Sequence, residues 1–426
     1  MASIKEQTNN PSMVKSINDI PKLFERTFPE NYINNVIGWG VSEDELHSKL
    51  PDGSYKLVTL DIDFGSKCSL GCPHCFQSNQ IPYKFNKGLS WEQTIDIIDQ
   101  AKELGLKYVK ILGAGEPFEN TKFLDFLTEL SKRNIHTAIF TKGHVIGSDE
   151  LVKQYFGEKG INTSEELVDI LFKLKTSILL GFNSFDENIQ NTSVGVGKRH
   201  KLNNYVELRD RALMLLTAKG FNQFTPNVPT RLALVVAPFK PESVDEVLGI
   251  YKWGNTRNMY VAACPTTSSG NGHKELSREE RKDFKTYMKK VKQTYIDIYK
   301  WALKTGVVKK EVFIKHGVSL YPGGHPCNQV AGGFYIKLDG TAYICPGNDT
   351  EKFFISNDVV NTPLKEIWLN SPNYKLAAGN KFNFGCLARK NTFFCDYPNF
   401  YDDVFNEVID EIQQNTSHGE ILGKTF

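Results

Sequence analysis

Strand-like and helix-like segments alternate six times between about residues 56 and 265, and this alternation restricts the fold more than any other feature. Strand patterns occupy 57–63, 108–113, 136–141, 177–183, 231–237 and 259–264. The intervening stretches carry helix starts. Ser90-Trp91-Glu92-Gln93 is a capping box ahead of Ile97, Ile98 and Ala101. Asn120 precedes Phe123, Phe126 and Leu127, and Thr163-Ser164-Glu165-Glu166 and Ser243-Val244-Asp245-Glu246 open two further helices, with another over 205–218. Strands joined in sequence by helices form a parallel sheet through right-handed crossovers. A closed barrel uses eight such units. Six predict an α/β fold built as a partial (β/α)6 TIM-like barrel.

The pattern changes beyond Gly306. Ser277-Arg278-Glu279-Glu280 opens a long helix reaching about Leu303. Residues 334–338 and 341–345 flank Asp339-Gly340, a two-residue hairpin signal. Thr362-Pro363-Leu364 then starts a short helix with Pro in its first turn. The expected organisation is an N-terminal extension (1–55), the barrel (56–270), a connecting helix (271–315) and a small α+β C-terminal domain (316–426). Residues 1 to about 15 read as disordered.

Charge and hydropathy narrow the function classes. Fifty-one Lys and Arg against 49 Asp and Glu leave no charge excess to draw nucleic acid or an anionic membrane. The longest apolar runs, such as 232–239, fall far short of the roughly 20 residues of a membrane span, and the N-terminus lacks a signal-peptide core. A cytoplasmic location follows by default. There, eight cysteines are unsuited to disulfides, and their grouping favours metal ligation.

Cys68, Cys72 and Cys75 fall in the loop after the first strand, where barrels of this kind place their chemistry. Three thiolates this close can hold three corners of a 4Fe–4S cube, leaving one iron open to a small molecule. A structural zinc site is the competing reading. It would have to use adjacent His74 and Cys75 on one tetrahedral ion, which is sterically awkward.

This spacing on this loop resembles the radical SAM superfamily, in which the open iron chelates S-adenosylmethionine. Cleavage of the sulfonium by one electron yields methionine and a 5′-deoxyadenosyl radical that abstracts hydrogen from substrate. A second match is Gly113-Ala114-Gly115-Glu116-Pro117 after the second strand, with Ala114 where the family usually has glycine. Small residues allow backbone carbonyls to approach a ligand ammonium, and Glu116 adds complementary charge. The resemblance also implies cofactor contacts from Gly113, Gly115, Thr141, Lys142, Asn183, Ser184 and the backbone around His74. Lys142 departs from the family's usual asparagine. A flavodoxin- or ferredoxin-type electron donor is implied as partner.

Cys327, then Gly340-x4-Cys345 across the hairpin, resembles the opening of the SPASM and twitch domains appended to some radical SAM enzymes. With Cys386 and Cys395 this implies one auxiliary 4Fe–4S cluster held by four thiolates, fewer than the seven cysteines of a full SPASM domain. A zinc-stapled hairpin is the alternative.

Cys264 belongs to neither group. Period-two alternation puts it with Tyr260 and Ala262 on one strand face, toward the lumen. It reads either as a small buried hydrophobe or as a thiol hydrogen donor to a carbon radical. Thr59, Asp61 and Asp63 share the lumen face of the first strand. The two aspartates are candidates for gripping a cationic substrate group, or for a buried ion-pair network with Lys110. The expected function is a radical SAM enzyme oxidising a small sugar- or aminocyclitol-like molecule or a peptide. The alternatives are a redox-neutral epimerase using Cys264 and a non-catalytic zinc-stabilised binding protein.

Overall fold

Val58, Leu60 and Ile62 alternate with Thr59, Asp61 and Asp63, and this alternation sets the fold's two sides in the computed structural model, which describes residues 16–77, 88–196, 202–275, 283–379 and 381–422. The first set joins the main core under the helices, while the second faces inward. Six strands run parallel in sequence order: β1 (Thr59–Asp63), β2 (Tyr108–Gly113), β3 (His136–Thr141), β4 (Ser177–Gly181), β5 (Leu232–Val236) and β6 (Tyr260–Ala263). Among the described residues β6 ends the sheet without pairing back, so the barrel is open.

The other side of β1 is covered by β7 (Gly333–Ile336), parallel to it with Thr59 opposite Gly333. β8 (Ala342–Tyr343) and β9 (Phe354–Ser356) continue the sheet antiparallel. The expected hairpin therefore forms, but it extends the barrel sheet. Its turn closes as Lys337 N–H donates to Thr341 O at 2.9 Å, with Gly340 at φ +80°.

Local chemistry sets several helix starts. The Ser90 and Thr163 boxes cap Trp91–Glu103 and Ser164–Lys173. Helix Phe123–Lys132 buries Phe123, Phe126, Leu127 and Leu130 against the sheet, each worth about 1.5–3 kcal/mol. Ser243 behaves differently from expectation. Its hydroxyl accepts from Lys240 N–H, a short 3-10 turn intervenes, and the helix begins at Val247. Glu246 is drawn away because Ser184 Oγ and Phe185 N–H donate to its carboxylate at 2.7 and 3.0 Å. The long helix spans Phe284–Thr305, and its expected Ser277-Arg278-Glu279-Glu280 start lies outside the described residues, as do residues 1–15.

The N-terminal segment closes the base of the lumen. Phe24, Phe28 and Tyr32 cluster with Phe224 and Trp301. Val36 bridges to Thr230, and Trp39 lies against Phe140 and Tyr321. The inward residues Ala138, Leu179, Ala233, Tyr260 and Ala262 pack with Val36 into a separate small core.

Candidate active site

A cavity opens at the C-terminal ends of the parallel strands, and both expected cysteine groups, Cys395 excepted, line it. Cys68, Cys72 and Cys75 line one wall with His74, from the loop after β1. Several fixed bonds hold that loop. Glu116 N–H donates to Lys67 O at 2.8 Å, Gly71 N–H to Val194 O at 3.0 Å, and Asn271 N–H to Cys75 O at 3.0 Å. Ser69 N–H donates to Glu119 Oε1 at 2.8 Å, and His144 Nε2 lies 2.9 Å from the same oxygen. Burial raises the Glu119 carboxyl, but bonds from His144 and Ser69 outweigh it and hold it below the usual range. Glu119, His144 and Ser69 were not singled out in the sequence. Their only signal was proximity to the cysteine and Gly113–Pro117 motifs.

Glu116 is buried beside the cysteines. Thr141 Oγ1 donates to its Oε1 at 2.6 Å, and Lys142 N–H to its Oε2 at 2.9 Å. Burial nevertheless raises its carboxyl above the normal range. Oε1 also accepts from Phe118 N–H at 3.5 Å, while Oε2 keeps lone-pair capacity for a further donor. Gly115 is required by close approach: a Cβ there would sit 2.0 Å from Lys67 O. Gly113 adopts φ +141°. Lys142 runs along Gly181 into the cavity.

Asn183 and Ser184 sit behind this wall. Both backbone N–H groups donate to Gln190 Oε1, and Ser184 Oγ is engaged by Glu246. Asn183 Nδ2 donates to Pro238 O, while its Oδ1 is buried without a partner, as is His74 Nδ1. Asp61 and Asp63 are absent from the cavity wall. Asp61 pairs with Lys110 at 3.6 Å beneath it. Asp63 accepts from Gln77 Nε2 at 2.9 Å and Tyr335 OH at 2.5 Å. Asp61 thus forms an ion pair with Lys110, whereas Asp63 is held by hydrogen bonds from neutral side chains.

Cys327, Cys345, Cys386 and Cys264 also line the cavity, in a packing cluster separate from that of Cys68 and Cys72. Cys264 packs with Cys386, Leu320 and Ala388, and Cys327 and Cys345 lie against them. Arg389 is buried here. Its Nη1 donates to Cys386 Sγ at 3.3 Å and its Nη2 to Cys264 Sγ at 3.5 Å. Cys395, expected as the fourth ligand, is exposed and lies outside the described cavity wall.

The donor set fits iron–sulfur ligation. Burial raises the Cys68, Cys72 and Cys264 thiols and pushes Cys327 up to about 12. Such thiols become thiolates when a bound metal compensates the charge. The Gly115 cradle and the unpartnered His74 and Asn183 atoms suit a polar nucleotide-like ligand beside the first three sulfurs.

Residues 62–248 match the model of the radical SAM superfamily. A curated relative, the tungsten-containing aldehyde ferredoxin oxidoreductase cofactor-modifying protein of Pyrococcus furiosus, is 24% identical over 206 residues, which cover 44% of this chain and 54% of the relative. The match thus spans about half of that protein's length. The solved structure of anSMEcpe with bound AdoMet and Cp18Cys peptide is 14% identical, with a TM-score of 0.54, covering 84% of this chain and 99% of that one. The Streptococcus suis SuiB structure with precursor peptide SuiA is 16% identical at a TM-score of 0.43, covering 76% of this chain and 66% of that one.

Proposed function

Residues 62–248 make this chain a member of the radical SAM superfamily, and from that premise we propose that it is an oxidoreductase. It cleaves S-adenosylmethionine reductively and abstracts hydrogen from a small molecule, of sugar or aminocyclitol type, or from a peptide. The carrying observation is that Cys68, Cys72 and Cys75 share one wall with Glu116, Thr141 and Lys142. Those three thiolates would hold a 4Fe–4S cluster, which would supply the electron that turns bound S-adenosylmethionine into a source of the 5′-deoxyadenosyl radical.

The chain's own residues do the rest. Glu116, clamped by Thr141 and Lys142, offers a fixed acceptor for the ligand ammonium. Gly115, where a Cβ would strike Lys67 O, lets this loop pack close against the cysteine loop. Trp39, Phe140, Leu179, Val235 and Tyr321 wall the inner cavity and exclude water from the reacting carbon. The net outcome is loss of two hydrogens from substrate: one passes to the 5′-deoxyadenosyl group, the other leaves as a proton while its electron would return to an iron–sulfur cluster, with a flavodoxin- or ferredoxin-type donor feeding the first electron. Residues 56–270 form the catalytic barrel, and 316–426 form a SPASM- or twitch-like part with one auxiliary 4Fe–4S cluster.

Anaerobic reconstitution with iron and sulfide, then dithionite and S-adenosylmethionine, tests this. Release of 5′-deoxyadenosine and methionine is expected. Colourless zinc protein releasing neither would instead identify a zinc-stabilised binding protein.

A further inference from the structure

We infer that the auxiliary cluster takes its fourth thiolate from Cys264, at the end of β6, and that Cys395 is no ligand. This rests on the auxiliary-cluster reading above and changes its ligand set. Three independent observations carry it.

The first is placement. Cys264, Cys327, Cys345 and Cys386 line one cavity region and pack in one cluster, whereas Cys395 is exposed outside it. The second is the shared guanidinium. Arg389 donates to both Cys264 Sγ and Cys386 Sγ, so the two sulfurs stand within reach of one small inorganic core.

The third is charge. Arg389 is 4% exposed, and its remaining bonds go to the carbonyls of Pro265 and Thr266. Among the described residues its hydrogen-bond partners include no carboxylate. A buried cation served only by neutral groups is strongly unfavourable. A thiolate-ligated cluster, anionic overall, supplies the missing charge, and the guanidinium hydrogen-bonds its sulfurs.

Two consequences follow. Four thiolates leave no iron open to substrate, so this cluster serves electron transfer or structure. Cys264 is also committed as a ligand and is not a hydrogen donor, which removes the epimerase alternative.

The test uses full-length protein in which Cys68, Cys72 and Cys75 are all changed to alanine, so that only the auxiliary site can hold iron. After reconstitution this background should bind about four irons and give one electron paramagnetic resonance signal when reduced. Adding Cys264→Ala should lower the iron or alter the signal, and adding Cys395→Ala should change neither. Cys264→Ser, which offers an oxygen ligand, should shift the signal with iron retained, separating ligation from misfolding. Iron and signal unchanged by Cys264→Ala and Cys264→Ser, or lost on Cys395→Ala, overturns the assignment. A background with no iron overturns the auxiliary-cluster reading itself, while deoxyadenosine release by wild type tests the first cluster separately.

Discussion

The Lys110 ammonium lies 3.6 Å from the Asp61 carboxylate, and neither side chain meets solvent. The two face each other across β1 and β2 in direct register. Burial pushes the Asp61 carboxyl up to about 6, with Lys110 opposing only in part. Unfolded, it titrates near ~3.9. Between these values the folded chain keeps a proton that the unfolded chain has released. This contribution to stability is therefore present in acid and is lost as pH climbs through about 6. Melting temperatures from about pH 5 to about 7.5 should show wild type falling relative to Asp61→Asn up to that point and running parallel above it. Parallel curves throughout would show that Asp61 has an ordinary pKa.

Removing one partner differs from removing both. Asp61→Ala strands the Lys110 charge, leaving Gln329 at 3.4 Å and the Trp39 ring as its neighbours. A cost of about 3–5 kcal/mol is expected in denaturant unfolding. Asp61→Leu combined with Lys110→Met should cost much less, because no buried charge remains.

The Glu116 clamp should show itself in ligand affinity. Glu116→Gln swaps one acceptor oxygen for an amide that opposes the Thr141 or Lys142 donor. Loss of a charge-assisted bond worth about 1.5–3 kcal/mol predicts S-adenosylmethionine binding weaker by about 10- to 100-fold in equilibrium dialysis of the reconstituted protein. Iron content should stay at the wild-type level, since Glu116 is not a cysteine ligand.

Gly115→Ala should be far more damaging than its size suggests. The added methyl would meet Lys67 O at 2.0 Å and force apart the loop that presents Cys68. Lower melting temperature and poorer iron retention are expected. Gly249→Ala is the control, since nothing lies within 4 Å of a Cβ there. It sits in helix Val247–Asn255 and should be neutral or stabilising by about 0.4–1 kcal/mol.

Arg389→Gln should leave auxiliary iron in place and make the cluster harder to reduce. A cation that donates to cluster sulfurs stabilises the more negative, reduced form. Redox titration followed by electron paramagnetic resonance should find the midpoint moved to more negative potential. An unmoved midpoint would mean that the guanidinium does not touch the cluster.

The barrel was legible because its signals are local and periodic. The alternation of Thr59, Asp61 and Asp63 with apolar neighbours, and the Ser90 and Thr163 boxes, fix elements without help from distant residues. The Cys68–Cys75 and Gly113–Pro117 motifs were legible for the same reason, as each is a short contiguous stretch of sequence. Ser243 misled because Glu246, the residue that would complete a local box, is recruited by Ser184, 62 residues away. Cys264 and Arg389 were illegible as partners for a similar reason. They are 125 residues apart, and only the docking of the C-terminal segment on β6 brings them together.

β1 carries a consequence for how the chain is made. Its inner edge finds β2 within about fifty residues, but its outer edge waits for β7, which begins 274 positions after Thr59. During synthesis that edge stands as an open row of backbone donors and acceptors, the kind of surface on which strangers pair. A nascent or truncated chain stopped short of Gly333 should need chaperone cover, and without it should self-associate through β1.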